Sequence, residues 1–322
     1  MDKIFVSFPG LGIEGSELSS TAFHLGEKGV MWYGVVIAIG MLMAIAYAAF
    51  RCKQQGIKVD DLIDIAIFTI FFGVAGARAY YVIFDGDKSH YKSFIDVIAV
   101  WNGGLAIYGG IIAGAITVVI VCLIKKLNWR KLFDAVGPGV MIAQAMGRWG
   151  NFFNGEAYGV QVAEGDPLYF LRMGLISKNT ISEFGTTAMV YVHPTFLYES
   201  LWNVLGFIII NLLYKKKKFD GQIALYYFAW YGFGRMFIEG LRTDALYIGN
   251  TGIRVSQLLG FLLFAVAAGL LVFGLVVTSN KEKKLALAAE AAYAEEDDDE
   301  CEEDEEESNS EEEVEEDETE NG

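Results

Sequence analysis

Residues 104–131 read GLAIYGGIIAGAITVVIVCLIKKLNWRK. The run from Gly104 to Ile124 carries no charge, and Lys125, Lys126, Arg130 and Lys131 follow at once. A bilayer core is crossed by a helix of roughly 20 mostly apolar residues, so this run is long enough to span. The basic cluster behind it marks the cytoplasmic side by the positive-inside rule. The pattern recurs along the chain. Apolar stretches at about 31–50, 62–84, 104–124, 132–153, 194–214, 222–240 and 254–278 predict seven transmembrane helices. Arg51, Lys53 and Lys58 follow the first stretch, Lys215 to Lys218 the fifth, and Lys281, Lys283 and Lys284 the seventh. These are alternate loops, so one orientation satisfies all four: N-terminus outside, C-terminus in the cytoplasm. The expected fold class is an all-α polytopic membrane protein with seven transmembrane helices and a small extracytoplasmic cap.

Composition agrees. The chain has 322 residues, 53% of them hydrophobic, and a mean hydropathy of +0.35. The net charge of −16 misleads, because 22 of the 41 acidic residues lie in 281–322. Residues 1–280 are close to neutral with a slight basic excess. The acidic segment from about Glu295 cannot bury a core and is expected to be disordered. Residues 1–30 are expected to form an outside N-terminal segment, 31–280 the transmembrane domain, and about 154–193 the cap. The stretch 89–101 is too short to span and predicts a short helix in the outer interface. Cys52, Cys122 and Cys301 stand in no ligand spacing, so neither a disulfide framework nor a zinc site is expected. No phosphate-loop, dinucleotide or nucleic-acid signature is visible, and no metal or organic cofactor is implied.

Charged residues inside spans are costly and mark function. On the predicted topology, Tyr33, Arg78, Tyr108, Arg148, Glu199, Arg235 and Glu239 all fall in the outer leaflet, with Asn151, Asn154, Glu156, His193 and Arg242 at its edge. Asp64 and Asp134 fall near the inner face and read as interfacial. Four arginines at one depth call for anions. Glu156, Glu199 and Glu239 supply some, and a phospholipid headgroup is the abundant external one, which the arginine fork matches. Each member has a plainer reading: ion pairing for Arg148, Arg235 and Arg242, snorkelling for Arg78, an aromatic belt for Trp32 and close helix packing for Gly103, Gly104, Gly109, Gly110 and Gly114. A lipid or solute transporter would use the same arginines, but neither an internal repeat nor a midplane site is seen. A membrane scaffold would leave the polar block at 147–156 unexplained.

The block Gly147-Arg148-Trp149-Gly150-Asn151-Phe152-Phe153-Asn154-Gly155-Glu156 closely resembles the signature of the prolipoprotein diacylglyceryl transferase family. Further blocks agree in order: Trp32-Tyr33-Gly34, Gly76-Ala77-Arg78, residues 103–110, His193 to Glu199, and Tyr231 to Asp244. The resemblance covers about 1–280. It implies transfer of the diacylglyceryl group of phosphatidylglycerol to the lipobox cysteine of prolipoproteins at a bacterial plasma membrane, with release of glycerol 1-phosphate. It places Tyr33, Arg148, Asn151, Gly159 and Arg235 on functional positions, and Glu156, Tyr231, Glu239 and Arg242 on supporting ones. Some family members have a histidine, proposed as general base, where this chain has Tyr108.

The implied step is displacement at a primary carbon by sulfur. Arg148 and Arg235 are expected to stabilise the departing phosphate, with Asn151 and Tyr33 orienting the glycerophosphate and Arg78 among the binding groups. Tyr108 is a phenol, with an ordinary pKa of about 10, and is a poor base at neutral pH unless arginines lower that value.

Overall fold

The computed structural model describes residues 3–89, 91–243, 246–248 and 251–320. The chain opens with strands β1 (Lys3–Phe8), β2 (Ile13–Ser19), β3 (Thr21–Leu25) and β4 (Lys28–Met31). It enters helix α1 (Trp32–Gln54), then α2 (Val59–Phe84), the short α3 (Phe94–Ile98), α4 (Ile107–Ile124) and α5 (Trp129–Asn154). Strand β5 (Met173–Ile176), helix α6 (Lys178–Phe184) and strand β6 (Val190–Val192) follow. Last come α7 (Thr195–Tyr214), α8 (Gln222–Ile238) and α9 (Val255–Glu320).

A helix lies on each of the seven apolar stretches. Among the described residues five helical segments are long and apolar enough to cross a membrane: Trp32–Gln54, Val59–Phe84, Ile107–Ile124, Thr195–Tyr214 and Val255–Ala289. The other two are α5, diluted by charged residues and Pro138, and α8, which is 17 residues long. The helix pair α2 and α4 meets through glycines. A Cβ on Gly109 would lie 2.4 Å from the Gly76 carbonyl oxygen, and one on Gly76 would lie 2.9 Å from the Gly109 oxygen. These small residues let two backbones touch where lipid offers no hydrophobic drive to associate.

The all-α expectation needs correction at the N-terminal end of the chain. Residues 3–31, expected as a plain segment, are largely β-strand. Strand order in the main sheet is β2-β1-β5-β6, with Phe5, Val6 and Ser7 opposite Ile176, Leu175 and Gly174. Alternation in β1 turns Ile4 and Val6 into a core with Met173, Leu175, Val190, Val192 and Phe196. Strands β1 and β2 therefore share one sheet with residues from the 154–193 region, while β3 and β4 pair with each other in a second sheet. At the other end, α9 continues through the acidic run to Glu320. Met1–Leu271 and Val272–Gly322 form separate compact units.

At the end of the bundle away from the main sheet, Asp134 is fully buried rather than interfacial. Its carboxylate accepts from the Gly221 and Ala224 amides at 2.8 and 2.9 Å and pairs with Lys217 at 3.0 Å. A carboxylate from α5 thus caps the N-terminus of α8, satisfying amides that have no partner within that helix. Asp64, with Asp61, pairs with Lys125 at 2.7 and 2.6 Å.

Candidate active site

Three helix ends converge beside the main sheet. Helix α5 ends at Asn154 because Gly155 takes a left-handed cap at φ 60°, where a Cβ would lie 2.6 Å from that of Ser177. Helix α7 begins just after His193-Pro194, which puts Glu199 in its second turn. Helix α8 closes through a short 3-10 turn, Glu239–Leu241, which leaves Arg235, Glu239 and Arg242 together.

Glu199 is the hub. It is 5% exposed. Its Oε2 lies 2.9 Å from Arg148 Nη2 and 3.2 Å from Arg235 Nη1, and its Oε1 lies 3.2 Å from Arg242 Nη1. Arg235 Nη2 also lies 2.8 Å from Glu239 Oε2, close enough to pair by charge but outside hydrogen-bonding angles. Arg254 donates to the backbone carbonyl of Glu239. Among the described residues three guanidinium groups thus meet at two buried carboxylates, with Arg254 at the edge. Guanidinium forks gathered at one place suit a phosphate. Arg148 has donors to spare: of its five N–H groups, one meets Glu199 and another Asn151 Oδ1 at 3.4 Å.

Asn151 joins this cluster to Glu156, donating from Nδ2 to Oε1 at 2.9 Å, and Asn154 donates to the same oxygen at 3.3 Å. Tyr33 lies against α5 because position 150 is glycine. A Cβ there would come 2.9 Å from the tyrosine ring. Trp32 stacks on Phe153 with ring centroids 5.3 Å apart, fixing the same helix start. Gly159 is the crossing point of three segments. Its amide donates to the His193 carbonyl at 2.9 Å, it bridges to Arg242, and a Cβ would lie 2.7 Å from that of His193 and 3.0 Å from the Leu241 oxygen. Its contribution is a close approach that seats Arg242.

Arg148, Arg235, Glu239 and Arg242 are therefore in one cluster, with Asn151, Glu156 and Gly159 attached to it. Arg78, expected among the headgroup-binding residues, is engaged by another part of the chain. Its Nε donates to Val97 O, its Nη1 to Gly103 O and Gly104 O, and its Nη2 to Asp96 O, all at 2.7–3.0 Å. It clips the α3 segment to α2, and its buried guanidinium is spent on backbone carbonyls. Among the described residues no hydrogen bond or ion pair links Tyr108 or Tyr231 to the cluster. Tyr108 is half-buried in the first turn of α4, and Tyr231 stacks on Tyr227 with centroids 6.1 Å apart. Asp244 lies outside the described residues. Sequence reasoning underrated Glu199, named only as one counter-charge among several, and missed Arg254. An arginine at the very start of an apolar run was the available signal for the second.

His193, whose backbone ties Gly159 in place, has a buried ring with Nδ1 3.2 Å from the Tyr198 hydroxyl. Burial lowers its pKa, and Asp166, 3.9 Å from Nε2, opposes this more weakly. The folded state therefore favours the neutral ring. Its contribution to stability is complete above the unfolded pKa of about 6.5 and is lost as pH falls below it. The thermal midpoint of the purified protein is expected to drop on acidification through that window, and His193→Gln to flatten the drop. An unchanged slope in the variant contradicts the assignment.

Comparison with known proteins bears on what this cluster serves. The family model described as prolipoprotein diacylglyceryl transferase matches residues 20–273 and stops short of the acidic segment. Proteins named phosphatidylglycerol–prolipoprotein diacylglyceryl transferase are similar over most of their length. One from Streptococcus equi subsp. zooepidemicus is 42% identical over 254 residues, covering 78% of this chain and 93% of the relative. One from Listeria innocua is 40% identical over 257 residues, covering 80% and 90%. One from Staphylococcus aureus is 41% identical over 263 residues, covering 82% and 91%. The match runs through every helix end that builds the arginine–glutamate cluster, and the chain belongs to the prolipoprotein diacylglyceryl transferase family.

Proposed function

We propose that the protein transfers the diacylglyceryl group of phosphatidylglycerol to the lipobox cysteine of prolipoproteins, and that the arginine cluster is its phosphate site. The observation that carries the reading is the gathering of Arg148, Arg235 and Arg242 at the buried Glu199, with Arg148 still able to donate. Two arginines sharing one carboxylate can turn part of their forks to a phosphate without moving their backbones.

The chemistry asks for two things. The cysteine sulfur must act as a thiolate, and a free thiol with a pKa of about 8.5 needs only modest help. The sulfur then attacks the phosphate-bearing primary carbon of the diacylglyceryl group, not that of the headgroup glycerol. A C–S bond forms, the C–O bond to phosphate breaks, and the electron pair leaves on glycerol 1-phosphate. Negative charge grows on the phosphate during this step, so fixed cations aimed at it lower the barrier. Arg148 and Arg235 take that role. Arg242 and Glu239 hold Arg235 and Glu199 in place. Asn151, anchored by Glu156, and the Tyr33 hydroxyl orient the headgroup.

The topology that fits is seven spans, with α5 and α8 completing the five apolar helices, the N-terminus outside and the sheet as the extracytoplasmic cap. It places the phosphate site in the outer leaflet. The Lys- and Arg-rich loops at the opposite end support it. The site lies within a bacterial plasma membrane on this reading.

Purified protein, phosphatidylglycerol and a lipobox peptide test the assignment. The expected result is a peptide mass gain of one diacylglyceryl group with release of glycerol phosphate. No gain, with lipid moving between leaflets instead, would turn the reading to a transporter. Tyr108→Phe tests the base: with no charged partner at its hydroxyl among the described residues, the variant is expected to retain turnover within a few-fold. A loss of about 10²-fold or more would make Tyr108 the base.

A further inference from the structure

Helices α7 and α8 each hold a tryptophan against the other. Trp202 Nε1 donates to the Trp230 carbonyl at 3.1 Å, and Trp230 Nε1 donates to the Trp202 carbonyl at 2.9 Å. The two rings stack, with centroids 4.3 Å apart and planes 17° apart. Each indole lies over a glycine of the opposite helix. A Cβ on Gly234 would lie 2.1 Å from Trp202 Nε1, and one on Gly206 would lie 2.3 Å from Trp230 Nε1. Small residues let helix seams close in a bilayer, and here each glycine stands one turn after the tryptophan of its own helix. The contact is therefore reciprocal: residue 202 meets 234 while residue 206 meets 230, and the helices run antiparallel.

This clasp permits one register. An indole N–H without an acceptor inside a bilayer costs free energy. Sliding one helix past the other by a residue, about 1.5 Å, withdraws both donors from their carbonyls and drives both rings off their glycines. Towards the arginine cluster, the first charged side chains beyond the clasp are Glu199 on α7 and Arg235 on α8. They meet at 3.2 Å. Arg235 also holds Glu239 at 2.8 Å and, in the proposed reaction, a phosphate oxygen. A fork divided in this way tolerates little error, since a misplacement of about 1 Å set far from the chemistry can cost about 10²-fold in rate. We infer that Trp202 and Trp230 are positioning residues: they lock α7 to α8 in the register that holds Glu199 against Arg235 and keeps Arg235 aimed at the phosphate. The inference rests on the proposed function for the reaction that the lock serves.

A stacked indole pair gives an exciton couplet in circular dichroism, which tests the clasp on the full-length protein in nanodiscs. Trp202→Phe and Trp230→Phe are each expected to abolish the couplet. A wild-type protein without one, or a variant that keeps it, overturns the clasp. Turnover is then read well below the thermal midpoint, where the variants are folded. Each is expected to lower kcat about tenfold or more and to leave KM for phosphatidylglycerol within about twofold, because the misplaced contact is one that strengthens as the phosphate departs. Residues that only held the fold together would lower the midpoint and leave kcat unchanged, and that result contradicts the positioning role. In a Glu199→Gln background, Trp230→Phe is expected to cost less than about twofold more, since the carboxylate it positions is already gone. Losses that simply multiply contradict it as well. Should Trp202→Phe not fold, Trp230→Phe gives the same readouts. The couplet needs no turnover, so a wild-type protein that shows it and transfers nothing would sink the proposed reaction and not the clasp.

Discussion

Arg148→Lys is expected to lower turnover about 10²–10³-fold, the usual cost of removing one donor from a site where charge develops, while the protein still folds. Lysine keeps the charge but offers a compact ammonium in place of a planar fork. Arg148 has to meet Glu199 at 2.9 Å and Asn151 at 3.4 Å and still donate to a phosphate. Only a guanidinium has donors in those directions at once. An ammonium drawn to Glu199 leaves the phosphate with one cation fewer. The loss should appear mainly in kcat, because the interaction strengthens as the phosphate departs. Steady-state kinetics with phosphatidylglycerol and a lipobox peptide measure it. Near-normal turnover in the lysine variant would remove the fork from the account.

Glu199→Ala has the largest expected effect on stability, about 3–5 kcal/mol, the cost of removing one partner from a buried ion cluster. Glu199 is 5% exposed and touches Arg148, Arg235 and Arg242, which come from α5, α8 and the turn after α8. Without it Arg148, Arg235 and Arg242 face one another across the same space without the carboxylate that they share. Thermal or denaturant unfolding in detergent reads the loss. Glu199→Gln keeps the volume and part of the hydrogen bonding, and should fall between. A Glu199→Ala protein as stable as the parent would show that the cluster is solvated rather than buried.

The helices were legible because lipid imposes a simple rule: long apolar runs, basic residues between alternate ones. The stretch 104–131 needed nothing else. The short helix inside 89–101 was legible for the same reason, since Phe94, Ile95, Ile98 and Trp101 are all exposed on the folded chain. The sheet was not legible. Its central pair joins β1 to β5 across most of the chain, and short alternating strands carry little signal on their own. The candidate site was half legible. Depth ranks residues along the bundle but says nothing of their angle around it. Arg78 and Arg148 fell into one layer on that ranking, yet one faces backbone carbonyls of 96–104 and the other faces Glu199. Glu199 became the hub only when three helix ends were seen to meet. Gly159 resembled a functional residue in sequence, and its geometry explains why a glycine is needed there: no side chain fits between His193 and Leu241.

The central claim is that the arginines around Glu199 hold the donor phosphate. A structure of the protein with phosphatidylglycerol bound tests it most directly. The account predicts phosphate oxygens about 3 Å from guanidinium nitrogens of Arg148 and Arg235. A phosphate seated elsewhere, with both arginines still turned to Glu199 and Glu239, would contradict it.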